Sequence, residues 1–181
     1  MAGVWTLNWK ATKNALLCGD WIENLSTLKA TSGAYYTSVS ASQSRHDMTQ
    51  YWSALGYLGG TGSILLGSGS TAPAESDYAL ETPLSGYNVL SVVEEKPVWD
   101  TTTGVVSNTV KMTVQNRNAE AITVREWGML RPFVYPGSSN THFFLLYRAV
   151  LDSPVTIQPN QSAMLTLTRS VTLTDPVVWP V

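Results

Sequence analysis

The sequence predicts a mainly β protein, an antiparallel β-sandwich of jelly-roll type with an extended N-terminal arm and a short helix in front of it. Three observations lead there. Apolar and polar residues alternate with period two in several segments after Ile64. Clusters of Gly, Pro and Asn separate those segments at short intervals. Only 13% of the 181 residues are charged, against about 25% in ordinary soluble domains, so Ser, Thr, Asn and Gln must build the polar surface.

Taken in order, residues 4–10 place Trp5, Leu7 and Trp9 on one side and Thr6, Asn8 and Lys10 on the other, the pattern of a strand or extended arm. Ala11, Ala15, Cys18, Ile22 and Leu25 follow helical spacing, so residues 11–29 are the helix, with Gly19 as its weak point. Residues 30–50 are Ser-rich and aperiodic and read as a long loop. An aromatic stretch, Tyr51 to Leu58, ends at Gly59-Gly60-Thr61-Gly62. Strands then follow at Ile64–Leu66, at 88–95, and at Val110, Met112 and Val114, which alternate with polar neighbours. After a turn at Asn116-Arg117-Asn118-Ala119, Ile122, Val124 and Glu126 share one face of the next strand. Residues 142–151 are apolar on both faces, as a central strand would be. A turn at Pro159-Asn160 leads to the last strand, 163–174, where Leu165, Leu167, Val171 and Leu173 face inward. The domain division is therefore 1–60 for arm, helix and polar loop, and 61–181 for the sandwich.

Composition narrows the function. A hydrophobic fraction of 44% suffices for a packed core. Eleven Lys and Arg set against 13 Asp and Glu form no basic run, so nucleic acid is not an expected partner. No apolar run approaches the ~20 residues of a membrane helix, and the N-terminus lacks the basic start and apolar stretch of a signal peptide. The expectation is a chain that stays in the cytoplasm where it is made and is assembled there. The single cysteine, Cys18, forms no disulfide framework and reads as a small packed residue.

Chemical motifs are thin. Gly67-Ser68-Gly69-Ser70-Thr71-Ala72 follows a strand and fits the dinucleotide pattern G-x-G-x-x-A, but Pro73 stands where the phosphate-binding helix should begin. The Gly62-to-Gly67 spacing of a P-loop has Ser68 in place of the lysine. His46 and His142 are the only histidines, and no nucleophile elbow, zinc motif or C-x-x-C accompanies them. Glu94-Glu95 would point to opposite faces of a strand, and Asp77 with Glu81 read as solvated turn carboxylates rather than a glycosidase pair. No enzyme activity, cofactor or metal is expected. Seven Trp and eight Tyr suit core and interface packing. A sugar-stacking platform using Trp99 and Trp127 is the alternative, which would make the chain a carbohydrate-binding, host-receptor module. One polar pair stands out: Glu126 and Arg148 each occupy an apolar strand face and would bridge if their strands are neighbours.

Two stretches resemble a pattern that recurs in structural proteins of tailed-bacteriophage virions. The first is Ile64-Leu65-Leu66-Gly67-Ser68-Gly69-Ser70-Thr71-Ala72-Pro73 with Ser76-Asp77-Tyr78-Ala79-Leu80-Glu81. The second runs from Ile122-Thr123-Val124-Arg125-Glu126-Trp127-Gly128-Met129 through Leu145-Leu146-Tyr147-Arg148-Ala149-Val150 to Ser153–Ser162 and the Thr-rich last strand. The segment Arg131–Gly137 departs from that family's compact pattern. The resemblance implies a β-rich particle component on the head surface, neck or tail, assembled in the host bacterial cytoplasm. Its partners would be itself, as a homo-oligomer such as a trimer, and other virion proteins. Trp5, Leu7 and Trp9 would be its docking arm, and deleting residues 1–10 is expected to leave a folded domain that no longer docks.

Overall fold

The structure, a computed structural model, describes residues 2–8, 28–36, 64–134 and 141–172. Ten strands are described: β1 (Ala2–Trp5), β2 (Leu28–Lys29), β3 (Tyr35–Tyr36), β4 (Ile64–Gly67), β5 (Tyr87–Glu94), β6 (Val98–Asp100), β7 (Val105–Asn116), β8 (Ile122–Val134), β9 (Thr141–Ile157) and β10 (Ser162–Thr172). One sheet has the order β1-β9-β8-β4, the other β10-β7-β5 with β6 also on β7, and β2-β3 form a small hairpin. All pairings are antiparallel. The molecule is thus a β-sandwich. Because β8 and β9, consecutive in the chain, lie side by side in one sheet, this order does not confirm the jelly-roll connection.

The alternation read from the sequence is what fills the core. Val110, Met112 and Val114 of β7 and Leu165 and Leu167 of β10 point inward to meet Ile64, Leu66, Ile122, Val124, Trp127, Met129, Tyr147 and Ala149 of the facing sheet. Each such side chain stabilises the fold by roughly 1.5–3 kcal/mol when fully buried. Residues 144–149 of β9 are all buried, as expected for a strand covered on both faces. Asn116 secures the predicted turn: its amide donates to the carbonyls of Glu120 (2.7 Å) and Ile157 (3.0 Å) and accepts from the Asn118 N–H (2.8 Å). Asn160 takes the left-handed φ of 60° that closes the β9–β10 turn.

Three expectations for the N-terminal part change. The first strand is no free arm: Ala2–Trp5 pair with Val150–Tyr147, so β1 is an edge strand of the sandwich, and the boundary at residue 60 does not separate it. Deleting it removes a strand. The alternation also fails after Trp5. Thr6 and Asn8 are buried while Leu7 is exposed, because the backbone leaves the extended conformation at Leu7 and polar side chains are used to bind main chain. Thr6 Oγ1 donates to the Leu145 carbonyl (2.6 Å) and Asn8 Nδ2 to that of Lys29 (2.9 Å). Finally, Leu28–Lys29, placed in a helix, and Tyr35–Tyr36, placed in a loop, pair as a hairpin across a turn at Gly33, whose φ is 86°. The remainder of the predicted helix, the rest of the polar loop, Cys18, His46, Trp9 and the segment 135–140 lie outside the described residues.

Candidate functional site

The densest polar cluster sits on the outer face of the β1-β9-β8-β4 sheet, under the segment that links β4 to β5. Glu126 of β8 and Arg148 of β9 meet there, the Arg148 Nε–H donating to Glu126 Oε2 at 2.7 Å. Glu126 does not, however, share the face of Ile122 and Val124 as the sequence suggested: a register shift after Val124 turns it outward while those two face the core. Register explains the meeting, since Gly128 pairs with Arg148 and Glu126 with Val150 on the adjoining strand. Arg148 also donates to Asp77 (2.8 Å) and Glu81 (3.4 Å) from the overlying segment. One guanidinium therefore binds three carboxylates. Burial opposes its charge, but the hydrogen bonds to Asp77 and Glu126 outweigh that and raise its pKa.

The carboxylate oxygens are already engaged by main-chain donors. Glu126 accepts from the N–H groups of Gly69 (3.2 Å), Glu81 (3.2 Å) and Thr82 (2.9 Å). Glu81 accepts from the Thr71 N–H (2.9 Å) and hydroxyl (2.7 Å), and Asp77 from the Ala74 N–H (2.9 Å). This is a clamp that fastens residues 68–83 to the sheet. It also answers the nucleotide-like motif. One amide of that motif, Gly69, does bind an anion, but the anion is the chain's own Glu126, and the Ser68 N–H goes instead to the Thr82 carbonyl. A Cβ on Gly67 or Gly69 would lie 2.4 or 2.6 Å from Glu126 Oε1, and that oxygen cannot retreat from its several bonds. Gly67→Ala and Gly69→Ala should each cost about 1–3 kcal/mol in urea unfolding, with exposed Ser70→Ala as the unchanged control.

Acid loosens the clamp in a definite direction. Hydrogen bonds from the Thr71 hydroxyl and N–H hold the Glu81 carboxyl below its ordinary 4.5. A carboxylate with a lowered folded-state pKa adds stability above its unfolded value and loses it as pH falls through the folded one. Glu81→Gln should therefore melt below the unchanged chain at pH 7, with the gap closing as the pH drops below about 4. Parallel thermal melts from pH 7 to 3 measure it, and a constant gap would contradict the role.

The clamped segment is held from its far side too. The Leu7 N–H donates to the Glu75 carbonyl (2.7 Å) and the Thr31 N–H to that of Phe143 (2.9 Å). Lys29 Nζ lies 3.7 Å from the Tyr78 ring centroid and 5.1 Å from that of Tyr35, a cation–π contact joining the β2–β3 hairpin to the segment. The part of this sheet's outer face around Glu126 and Arg148 is thus covered by the chain itself.

A second charge lies between the sheets. Arg169 of β10 is 2% exposed and donates to Glu94 (3.1 Å) and to the Met129 sulfur (2.8 Å). Burial pulls its pKa down and pushes Glu94 up, each partly offset by the other's charge. Burial likewise pushes the neighbouring Tyr147 hydroxyl up to about 12. Sequence reasoning missed this pair, although the signal was present: Arg169 falls on the inward parity between Leu167 and Val171.

The other sites read from the sequence separate. Trp5 packs edge-on to Tyr147 (4.9 Å between centroids) and its indole N–H donates to the Ser170 carbonyl (2.7 Å), so it ties the two sheets together. Leu7 is exposed and Trp9 lies outside the described residues, so the three do not form a described docking surface. Trp127 is 1% exposed, in contact with Tyr147, and cannot stack on a sugar, whereas Trp99 is exposed. Among the described residues no group of His, Cys, Asp and Glu is arranged to hold a metal ion, and no helix is long and apolar enough to cross a membrane. Comparison of the chain with protein-family models, with curated proteins and with solved structures finds no match.

Proposed function

We propose that the chain is a non-enzymatic structural component of a tailed-bacteriophage particle, decorating the capsid or anchoring a head or tail appendage. It acts by contact with copies of itself and with other virion proteins, and needs no cofactor, nucleic acid or membrane. The observation that carries this reading is the contrast between the two sheets. One outer face is covered around Glu126 and Arg148 by the clamped segment 68–83, with the β2–β3 hairpin beside it. The other presents Met164, Val93 and Val98 to solvent with hardly any charge, a surface suited to protein neighbours.

Two further points support it. Part of the resemblance to virion proteins, Ile64–Glu81, Ile122–Met129 and Leu145–Val150, gathers around Glu126 and Arg148, while Ser153–Ser162 and the last strand lie away from that cluster. The polar cluster spends its hydrogen bonds on its own backbone, the economy of a rigid building block. The test is particle composition. Phage particles banded on a density gradient should contain the chain in fixed ratio to the major shell protein by quantitative mass spectrometry. Its absence from intact particles would overturn the reading.

A further inference from the structure

Among the described residues nothing covers the outer face of the β10-β7-β5 sheet; it is where a partner would sit, and its chemistry selects the partner. Cross-strand register defines its rows: Ser91, Thr113 and Met164, then Val93, Lys111 and Thr166, with Val98 beside Ser107 towards β6. Met164 and Val98 are each 64% exposed and Val93 58%. The remaining outward side chains of β7 and β10 are mostly Thr, Ser and Gln. The central rows carry one cation and one anion, Lys111 and Glu95, half-exposed and paired with each other. The patch is therefore neutral and offers nothing to a strongly charged partner.

We infer that this face binds the same face of a second copy, through a two-fold contact that places each Lys111 opposite the other copy's Glu95. A patch with one charge of each sign is self-complementary. A two-fold axis lying in the face and bisecting the line from Lys111 to Glu95 superimposes each charge on its opposite. The apolar rows then meet around that pair. Edge-to-edge pairing through β5 is disfavoured by the register shift between Val89 and Ser91 and by Pro97 just beyond the strand. Size agrees with such a dimer. The 12 residues of β7 at about 3.4 Å each, across three strands about 4.8 Å apart, give a face of roughly 600 Å². A standard interface covers about 800 Å² per partner, so the pair belongs to the weaker, micromolar class. The contact is two-fold rather than the trimer considered from the sequence. It rests on the assembly reading above and specifies the surface that reading uses.

The test is sedimentation velocity on the full chain from low to high micromolar concentration. Unchanged protein should dimerise, and Met164→Lys should weaken the dimer at least about tenfold, while Leu7→Lys, on the other sheet, should not. A charge-swap mixture is more specific. Lys111→Glu and Glu95→Lys are surface changes that should leave the melting temperature nearly unchanged. Each should be monomeric alone, since like charges then face one another, and an equimolar mixture should dimerise. A dimer indifferent to Met164→Lys, Lys111→Glu and Glu95→Lys, or a mixture that stays monomeric, would overturn the proposal. So would an unchanged chain that is monomeric throughout; if that monomer is nonetheless found in particles, the virion reading survives and only the surface is wrong. A dimer with the expected charge-swap behaviour, absent from particles, has the converse meaning.

Discussion

Arg148→Met is expected to cost about 3–5 kcal/mol of folding stability, because it leaves Glu126 buried without its cation. The side chain of Glu126 has no exposed surface and Arg148 is 3% exposed, so water cannot replace the lost partner. Asp77 and Glu81 would then face Glu126 as like charges across the emptied position. Urea unfolding followed by tryptophan fluorescence gives the number, and the midpoint should fall with the slope unchanged if the sandwich still unfolds as one unit. A conservative control separates charge from shape: Arg148→Lys keeps the cation but loses the fork that reaches three carboxylates, and should lie between. Replacing Glu126 and Arg148 together by apolar residues should recover part of the loss, since a buried pair is worth far less than either partner left alone. An Arg148→Met chain that melted like the unchanged one would mean the clamp holds nothing.

Trp127→Ala is the second large effect, at about 3–5 kcal/mol. Its indole lies between the sheets, 5.1 Å from the Tyr147 ring, among side chains from both layers. Removing it opens a cavity that the flanking strands cannot close, because β8 is fixed on both sides by β4 and β9. This outcome also bears on the carbohydrate-binding alternative. If sugar stacked on Trp127, the alanine variant would lose glycan affinity at constant stability. The expected result is the opposite, a large drop in melting temperature. Trp99→Ala, at an exposed position on β6, should leave stability nearly unchanged and serves as the counterpart on the same glycan array.

How far the fold was legible depended on whether a segment makes its own pattern. From Ile64 onward, inward residues alternate with Thr and Ser, and most strands, both turns and the doubly buried β9 could be read directly; β6 and the extension of β8 to Val134 could not, lacking that alternation. Arg148 was legible as a charge among Leu146 and Val150, but the face of Glu126 was not, because the bulge after Val124 that turns it outward leaves no local signal. Asp77 and Glu81 were not, because nothing local shows that a turn carboxylate will fold back over a sheet. The Gly67 and Gly69 motif reads only as a failed nucleotide pattern, because nothing local shows that a side chain 57 residues away packs against the Gly69 backbone. The N-terminal segment misled because the alternation of Trp5, Leu7 and Trp9 suggests the apolar side of an extended docking arm. In the fold Thr6 and Asn8 are the buried ones, holding the carbonyls of Leu145 and Lys29. Hydrogen bonding there overrode hydrophobicity.

Placing β1 beside β9 has a cost in time. Thr6 must find Leu145, 139 positions later, and Trp5 must find Ser170, 165 positions later. A ribosome adding about 5–20 residues per second leaves the first strand waiting roughly 7–30 s for its neighbour to exist. During that interval the strand Ala2–Trp5 lacks the β9 edge that it pairs with in the finished sheet. Chains halted before β9 emerges would carry an unsatisfied sticky end, so nascent molecules should depend on chaperones far more than finished ones do.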